Sequence, residues 1–118
     1  MFTLSSSHRY LLYRHPTDMR KSFDALCGII RNELQRNPLS GEVFIFLNRG
    51  KTHLKLLHWE NGGLVLYYKR LEKGTFAPPA TAGGELRISY AQLVLLTEGI
   101  TVKKSSQKPR WNVDKLLE

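Results

Sequence analysis

The chain has 118 residues, enough for one domain, and its 42% hydrophobic and 24% charged content excludes a wholly disordered polymer. Eighteen Lys plus Arg against ten Asp plus Glu leave a formal net charge of +8, a balance that favours an acidic partner such as nucleic acid over a charge spread only for solubility. The lone Cys27 excludes an intrachain disulfide framework and a Cys-based zinc site, and no apolar run approaches the ~20 residues that span a bilayer.

The opening residues, MFTLSSSHRYLLYRH, have an apolar cluster broken by Arg9 and Arg14 and do not read as a secretory signal. A cytoplasmic domain over residues 1–102, with a basic tail over 103–118 and no membrane partner, is expected. His8 to Tyr13 reads as a short strand that Pro16 stops. Thr17 or Asp18 offers a side-chain oxygen to cap a helix. From Asp18 onward Met19, Phe23, Leu26, Cys27, Ile30 and Leu34 recur at threes and fours, which predicts one apolar stripe on a helix ended by Asn37-Pro38. Arg20, Asp24 and Arg31 fall on a neighbouring polar stripe, where Arg20 and Asp24 are spaced for an i, i+4 ion pair.

Three strand-like runs follow: Val43 to Leu47, Leu54 to Trp59 and Leu64 to Tyr68. Arg49-Gly50-Lys51 occupies the first gap and Asn61-Gly62-Gly63 the second, which predicts an antiparallel meander with a tight second turn. Side-chain parity places Phe44, Phe46, Lys55, Leu57, Trp59, Leu64, Leu66, Tyr68 and Arg70 on one face. Val43, Ile45, Leu47, Leu54, Leu56, His58, Val65, Tyr67 and Lys69 take the other. Both faces are mostly apolar, so each needs a cover.

Leu71 to Gly84, with its glycines and Pro78-Pro79, reads as a connector and the most mobile loop. Ser89 and Gln92 form a capping-box pattern for a second helix, YAQLVLLTE, apolar nearly all round and therefore expected to be buried, with Gly99 after its end. Ile100 to Val102 is a candidate short strand. In the tail, Lys103, Lys104, Lys108 and Arg110 are basic, and Trp111 to Leu117 has helical potential that needs a partner to hold it. The fold class is thus α+β: a central antiparallel three- to five-stranded β-meander packed with one amphipathic and one buried helix.

No constellation for catalysis stands out. His8, His15, His53 and His58 form no short metal-binding pair, the carboxylates are scattered, and Cys27 falls on the apolar stripe as a buried thiol. Gly62-Gly63 lies between strands, not at a helix N-terminus where phosphate loops sit. No enzyme activity, metal or cofactor is expected. The cations Arg49 and Lys51 on one turn, Lys69, Arg70 and Lys73 where the third run ends, and Arg20 and Lys21 in the first turn of the first helix are the candidate nucleic-acid contacts. Tyr67, Tyr68, Phe76 and Trp111 lie near such groups, as base stacking requires, though core packing is the favoured reading for Tyr67, Tyr68 and Trp59.

Thr17-Asp18-Met19-Arg20-Lys21 with Phe23, then Gly41, Val43-Phe44 and Phe46, then Leu54-Lys55-Leu56-Leu57 with Trp59, then Gly63, Leu66, Tyr68-Lys69-Arg70-Leu71-Glu72, Gly74 and Phe76 form a connected set of motifs. Over about Arg14 to Val102 the sequence resembles the accessory TnpB-type proteins of the insertion sequence 66 family, second-frame products distinct from the RNA-guided nucleases of the same name. The resemblance implies an accessory part in transposition beside a larger transposase that carries the DNA-cutting acidic triad. The expected partners are therefore the element's DNA ends and its transposase, with a homo-oligomer possible. The competing expectation is an adapter that docks a protein through its apolar sheet or through Trp111 and Leu116, without touching DNA.

Overall fold

In the computed structural model, which describes residues 4–80 and 84–100, five strands form one sheet in the order β4-β3-β2-β1-β5. In chain order the elements are β1 (Tyr10–Leu12), α1 (Phe23–Asn32), β2 (Val43–Leu47), β3 (His53–Glu60), β4 (Gly63–Arg70), β5 (Arg87–Ile88) and α2 (Tyr90–Glu98). The tail with its cations, Trp111 and Leu116, and the Thr101–Val102 part of the expected last strand, lie outside the described residues. Ile100 itself makes an antiparallel bridge to Thr75.

The meander β2-β3-β4 is antiparallel and carries the expected parity. Val43 pairs with His58, Ile45 with Leu56 and Leu47 with Leu54, and Leu54 in turn faces Lys69. Between β3 and β4, Glu60 pairs with Gly63, which leaves a two-residue turn with Asn61 (φ 49) and Gly62 (φ 82) both in the left-handed region. That is the geometry a tight hairpin with right-handed strand twist demands, and Asn-Gly meets it at least steric cost.

The chain extends this meander with a parallel neighbour. β1 runs parallel to β2, Tyr10 beside Val43 and Leu12 beside Ile45, and β5 lies antiparallel against β1. The sheet is mixed and mostly antiparallel, because the β1-α1-β2 crossover returns the chain in the same direction.

Each face has its own core. Val43, Ile45, Leu54, Leu56, Tyr10 and Leu12 pack with Leu93 and Leu96 of α2 and with Phe76. Phe44, Phe46, Leu57 and Leu11 pack with Leu26, Cys27 and Ile30 of α1. Burying side chains of this size stabilises by roughly 1.5–3 kcal/mol each, and the strictly alternating faces explain why VFIFL has no polar position. Tyr13 joins β1 to the far end of α1 by donating its phenol hydrogen to Glu33 Oε1. Burial and that carboxylate push its pKa up to about 12.

Several expectations need correction. The first helix starts at Phe23, not Asp18, with Ser22 as N-cap and no side-chain cap bond. Asp18 instead closes a turn: its Oδ1 accepts from the Arg20 amide at 2.9 Å and its carbonyl from the Lys21 amide at 3.0 Å. A short carboxylate that bonds its own backbone competes with helix formation. Arg20 therefore pairs with Asp18 at 2.7 Å and not with Asp24 one turn on. The helix also ends earlier, at Asn32, before the left-handed Gln35 (φ 57).

The second helix has the expected bounds and the full capping box, with Gln92 N–H donating to Ser89 Oγ and Ser89 N–H to Gln92 Oε1. It is not buried all round: Leu95 is 68% exposed, because the sheet covers only the side that carries Leu93 and Leu96. Nor is the connector a free loop through Ala80. Phe76 is buried, its amide donates to the Lys51 carbonyl at 2.7 Å, and Arg14 reaches the Pro79 carbonyl at 2.9 Å.

Candidate functional site

Since β1, β2 and β4 point the same way and β3 points back, the exits of three strands and the entry of the fourth share one end of the sheet. Backbone hydrogen bonds knit the segments there. Thr17 N–H donates to the Leu47 carbonyl at 2.8 Å, and Leu71 N–H to the Thr52 carbonyl at 2.9 Å. The turn Thr17–Lys21, the loop Asn48–Thr52 and the segment Leu71–Phe76 are thereby brought side by side.

The turn is held from below by Lys55. This lysine is 5% exposed, and its Nζ donates to the Met19 and Lys21 carbonyls, both at 2.7 Å, while standing 4.6 Å from the Tyr68 ring centroid. A buried ammonium needs such partners, since burial without them is costly. Lys55 was legible only as the cation flanked by apolar residues on a face whose other cation, Arg70, ends its strand, a position that parity places inside the fold. Sequence reasoning did not single it out as a positioning residue.

Asn48 organises the neighbouring loop. Its Oδ1 accepts from the Thr52 and His53 amides, each at 2.9 Å, so its Nδ2 faces Thr52 Oγ1 at 3.1 Å and His53 Nδ1 at 3.2 Å. An amide NH2 only donates, so His53 Nδ1 is the acceptor of that contact. Lys51 sits in the left-handed region (φ 58), as this tight loop requires. Between turn and loop lies an open cleft of about 460 Å³, with Pro16 to Met19 on one side and Asn48 to Gly50 with His53 on the other.

The sequence-designated cations all reach this end, in different states. Arg49, Lys51, Lys73 and Lys21 are exposed and take part in none of the ion pairs among the described residues. Arg20 is held by Asp18, whose carboxyl is lowered to about 2 chiefly by that guanidinium hydrogen bond and then by the Arg20 amide. Arg70 is held by Glu72 at 2.9 Å. Lys69 turns to the other face and donates to the Thr97 carbonyl at 2.7 Å, in the last turn of α2. A cation is favoured there by the exposed helix carbonyls.

The remaining titratable groups sit elsewhere. Cys27 is buried against the sheet, and burial raises its thiol above the usual range, which suits packing better than nucleophilic chemistry. His58 is 6% exposed, lies edge-on to His8 at 5.0 Å, and places Nε2 3.4 Å from Glu60 Oε1. Among the described residues there is no group of three or more His, Cys, Asp or Glu placed to hold a metal ion, and no helix is long and apolar enough to cross a membrane.

Comparison with known proteins supplies the context. The model of the family described as IS66 Orf2 like protein matches residues 8–107. The chain is similar to two proteins of Sinorhizobium fredii (strain NBRC 101917 / NGR234). One, named uncharacterized protein y4hO, is 40% identical over 84 residues, 71% of this chain and 73% of the relative. The other, named uncharacterized protein y4jC, is 28% identical over 101 residues, 86% of each. No solved structure matches. With most of its length matched by the family model, this chain belongs to the IS66 Orf2-like family, the transposition-associated accessory proteins of that insertion sequence.

Proposed function

We propose that this protein is a non-catalytic accessory of transposition that holds the element's DNA ends for the transposase, through the cationic end of its sheet. The observation that carries the reading is the gathering of exposed Lys21, Arg49, Lys51 and Lys73 on segments tied to one another by backbone bonds. Of the acids within three residues of them in sequence, Asp18 and Glu72 are already occupied by Arg20 and Arg70, and Asp24, on α1, joins none of the ion pairs among the described residues. Unneutralised cations on rigidly held turns contact phosphates without disturbing the sheet. Arg20 and Arg70 flank the patch and exchange their carboxylates for phosphates when DNA arrives. Lys69 keeps α2 in place beneath it.

The contacts are with the sugar-phosphate backbone, so binding is expected to tolerate changes of base sequence. Protein concentration series against labelled element-end duplex, by fluorescence anisotropy at low and moderate salt, test this. The expected result is binding at low salt that weakens steeply as salt rises, together with co-purification of the transposase that DNA strengthens. Absence of binding to any duplex at low salt, with the transposase still captured, would replace the DNA reading by the adapter reading.

A further inference from the structure

The two edges of the sheet differ. β5 is a two-residue strand that runs straight into α2, which blunts that edge. β4 is eight residues long, paired without a break from His53–Arg70 to Glu60–Gly63, and no described segment pairs with its outer side. It holds no proline and no bulge, and its apolar side chains stay half covered, with Val65 40% and Tyr68 51% exposed.

The hairpin fixes which backbone groups face outward. Glu60 and Gly63 flank the two-residue turn, so they form a hydrogen-bonded pair, as do His58–Val65, Leu56–Tyr67 and Leu54–Lys69 by alternation. Leu64, Leu66, Tyr68 and Arg70 therefore direct their N–H and C=O groups away from β3. We infer that this edge pairs with β4 of a second copy of the chain, antiparallel about a two-fold axis through Leu66.

That register satisfies every requirement at once. Opposed residues must share a face and hydrogen-bonded positions must be the outward ones, so a Leu66-centred pairing sets Leu66 against the second copy's Leu66 and Leu64 against its Tyr68. On the other face Val65 meets Tyr67 and Gly63 meets Lys69. The apolar run LVLYY lies in the middle, and the cations Lys69 and Arg70, confined to one end of the strand, fall opposite Gly63 and Gly62. Like charges are never opposed, which is the charge complementarity that a self-pairing edge needs. With about 3.3 Å of rise per residue, the cationic ends of the two copies stand roughly 26 Å apart on opposite flanks of a ten-stranded sheet. The pairing itself does not depend on what those ends bind.

Sedimentation equilibrium of the full chain, without nucleic acid, tests the pairing. The wild type is expected to be a dimer. Val65→Lys, which brings new cations beside Lys69 of the second copy, is expected to weaken self-association at least tenfold. Leu66→Pro removes an outward donor that β3 does not use and is expected to do the same, with far-UV circular dichroism confirming that each variant keeps the wild-type fold. Hydrogen-bonded partners stand about 5.5 Å apart at Cα, within disulfide reach, so in a Cys27→Ser background Leu66→Cys is expected to oxidise to a covalent dimer and Leu64→Cys is not. A monomeric wild type overturns the inference, and so does a dimer that survives Val65→Lys and forms no cross-link through Leu66→Cys. A monomer whose Leu64, Leu66 and Tyr68 amides resist hydrogen exchange overturns it too, by showing that another part of the same chain covers the edge.

Discussion

The two ends of the sheet are built on different physics. At one end the chain reverses through Asn61-Gly62, a turn that backbone conformation alone specifies, and the nearby charges are balanced. Arg36 pairs with Glu42 at 2.8 Å, and Glu60 stands by His58. At the other end three chain segments converge, the turn and loop are held by Lys55 and Asn48, and exposed cations outnumber acids. The first end closes the fold; the second uses side-chain hydrogen bonds to present charge. The contrast predicts that substitutions at the turn end alter stability and leave nucleic-acid binding alone, and that substitutions of exposed cations do the reverse.

Lys55 is the exception that should affect both, and it carries the largest expected effect. Lys55→Met fills the space but leaves the Met19 and Lys21 carbonyls without their donor. It is expected to cost about 2–3 kcal/mol in urea denaturation and to loosen the turn that presents Arg20 and Lys21. A loss under about half a kcal/mol would mean that water replaces the ammonium without penalty.

Next come the positive-φ glycines. Gly99 has φ 74, and a Cβ there would lie 2.7 Å from Leu71 Cδ1, so Gly99→Ala adds a steric conflict to backbone strain and is expected to cost about 2 kcal/mol. Gly62, at φ 82, has open space around it, so Gly62→Ala meets only the backbone cost of about 1 kcal/mol. Thermal melts rank the two, and equal losses would show that Leu71 moves aside freely. Arg49→Ser and Lys51→Asn, by contrast, are expected to leave stability within about 0.5 kcal/mol while weakening duplex binding. If either unfolds the protein, the separation between the two ends fails.

The smallest effect is a titration. Asp18 has its carboxyl lowered from 3.8 to about 2 by Arg20. A depressed carboxylate contributes stability that is complete above its unfolded value and is lost as pH falls through the folded one. The turn is therefore expected to persist at pH 4 and to open toward pH 2. Carbon-13 NMR of the Asp18 carboxyl follows this directly, and a midpoint near 3.8 would show that the Arg20 pair does not form in solution.

Most of the fold was legible because it is written in local patterns. VFIFL and the two runs after it are extended segments joined by turns of even length, so parity alone sorted the faces, whichever register held. Ser89 and Gln92 located α2 to the residue. What escaped was either competition between local signals or pairing across distance. Asp18 looked like a helix cap because it shares the chemistry of one, and only the hydrogen bonds to Arg20 and Lys21 show that it closes a turn instead. The parallel pairing of β1 with β2 joins residues more than thirty apart, which no short pattern encodes. Leu95 is apolar yet exposed, since an all-round apolar helix does not announce which side lacks a cover. For the site, the exposed cations were visible as turn residues, but sequence spacing did not distinguish Arg70, bound to Glu72, from Lys73, which is not.

Phosphate contact by the cationic end is tested most directly by the salt dependence of duplex affinity. Each phosphate that a cation neutralises adds about 0.9 to the steepness with which log K falls against log salt. Replacing Lys21, Arg49, Lys51 and Lys73 together with neutral residues is therefore expected to make that fall shallower by roughly three to four. A variant that stays folded and binds element ends with the wild-type slope would contradict phosphate contact at this end of the sheet.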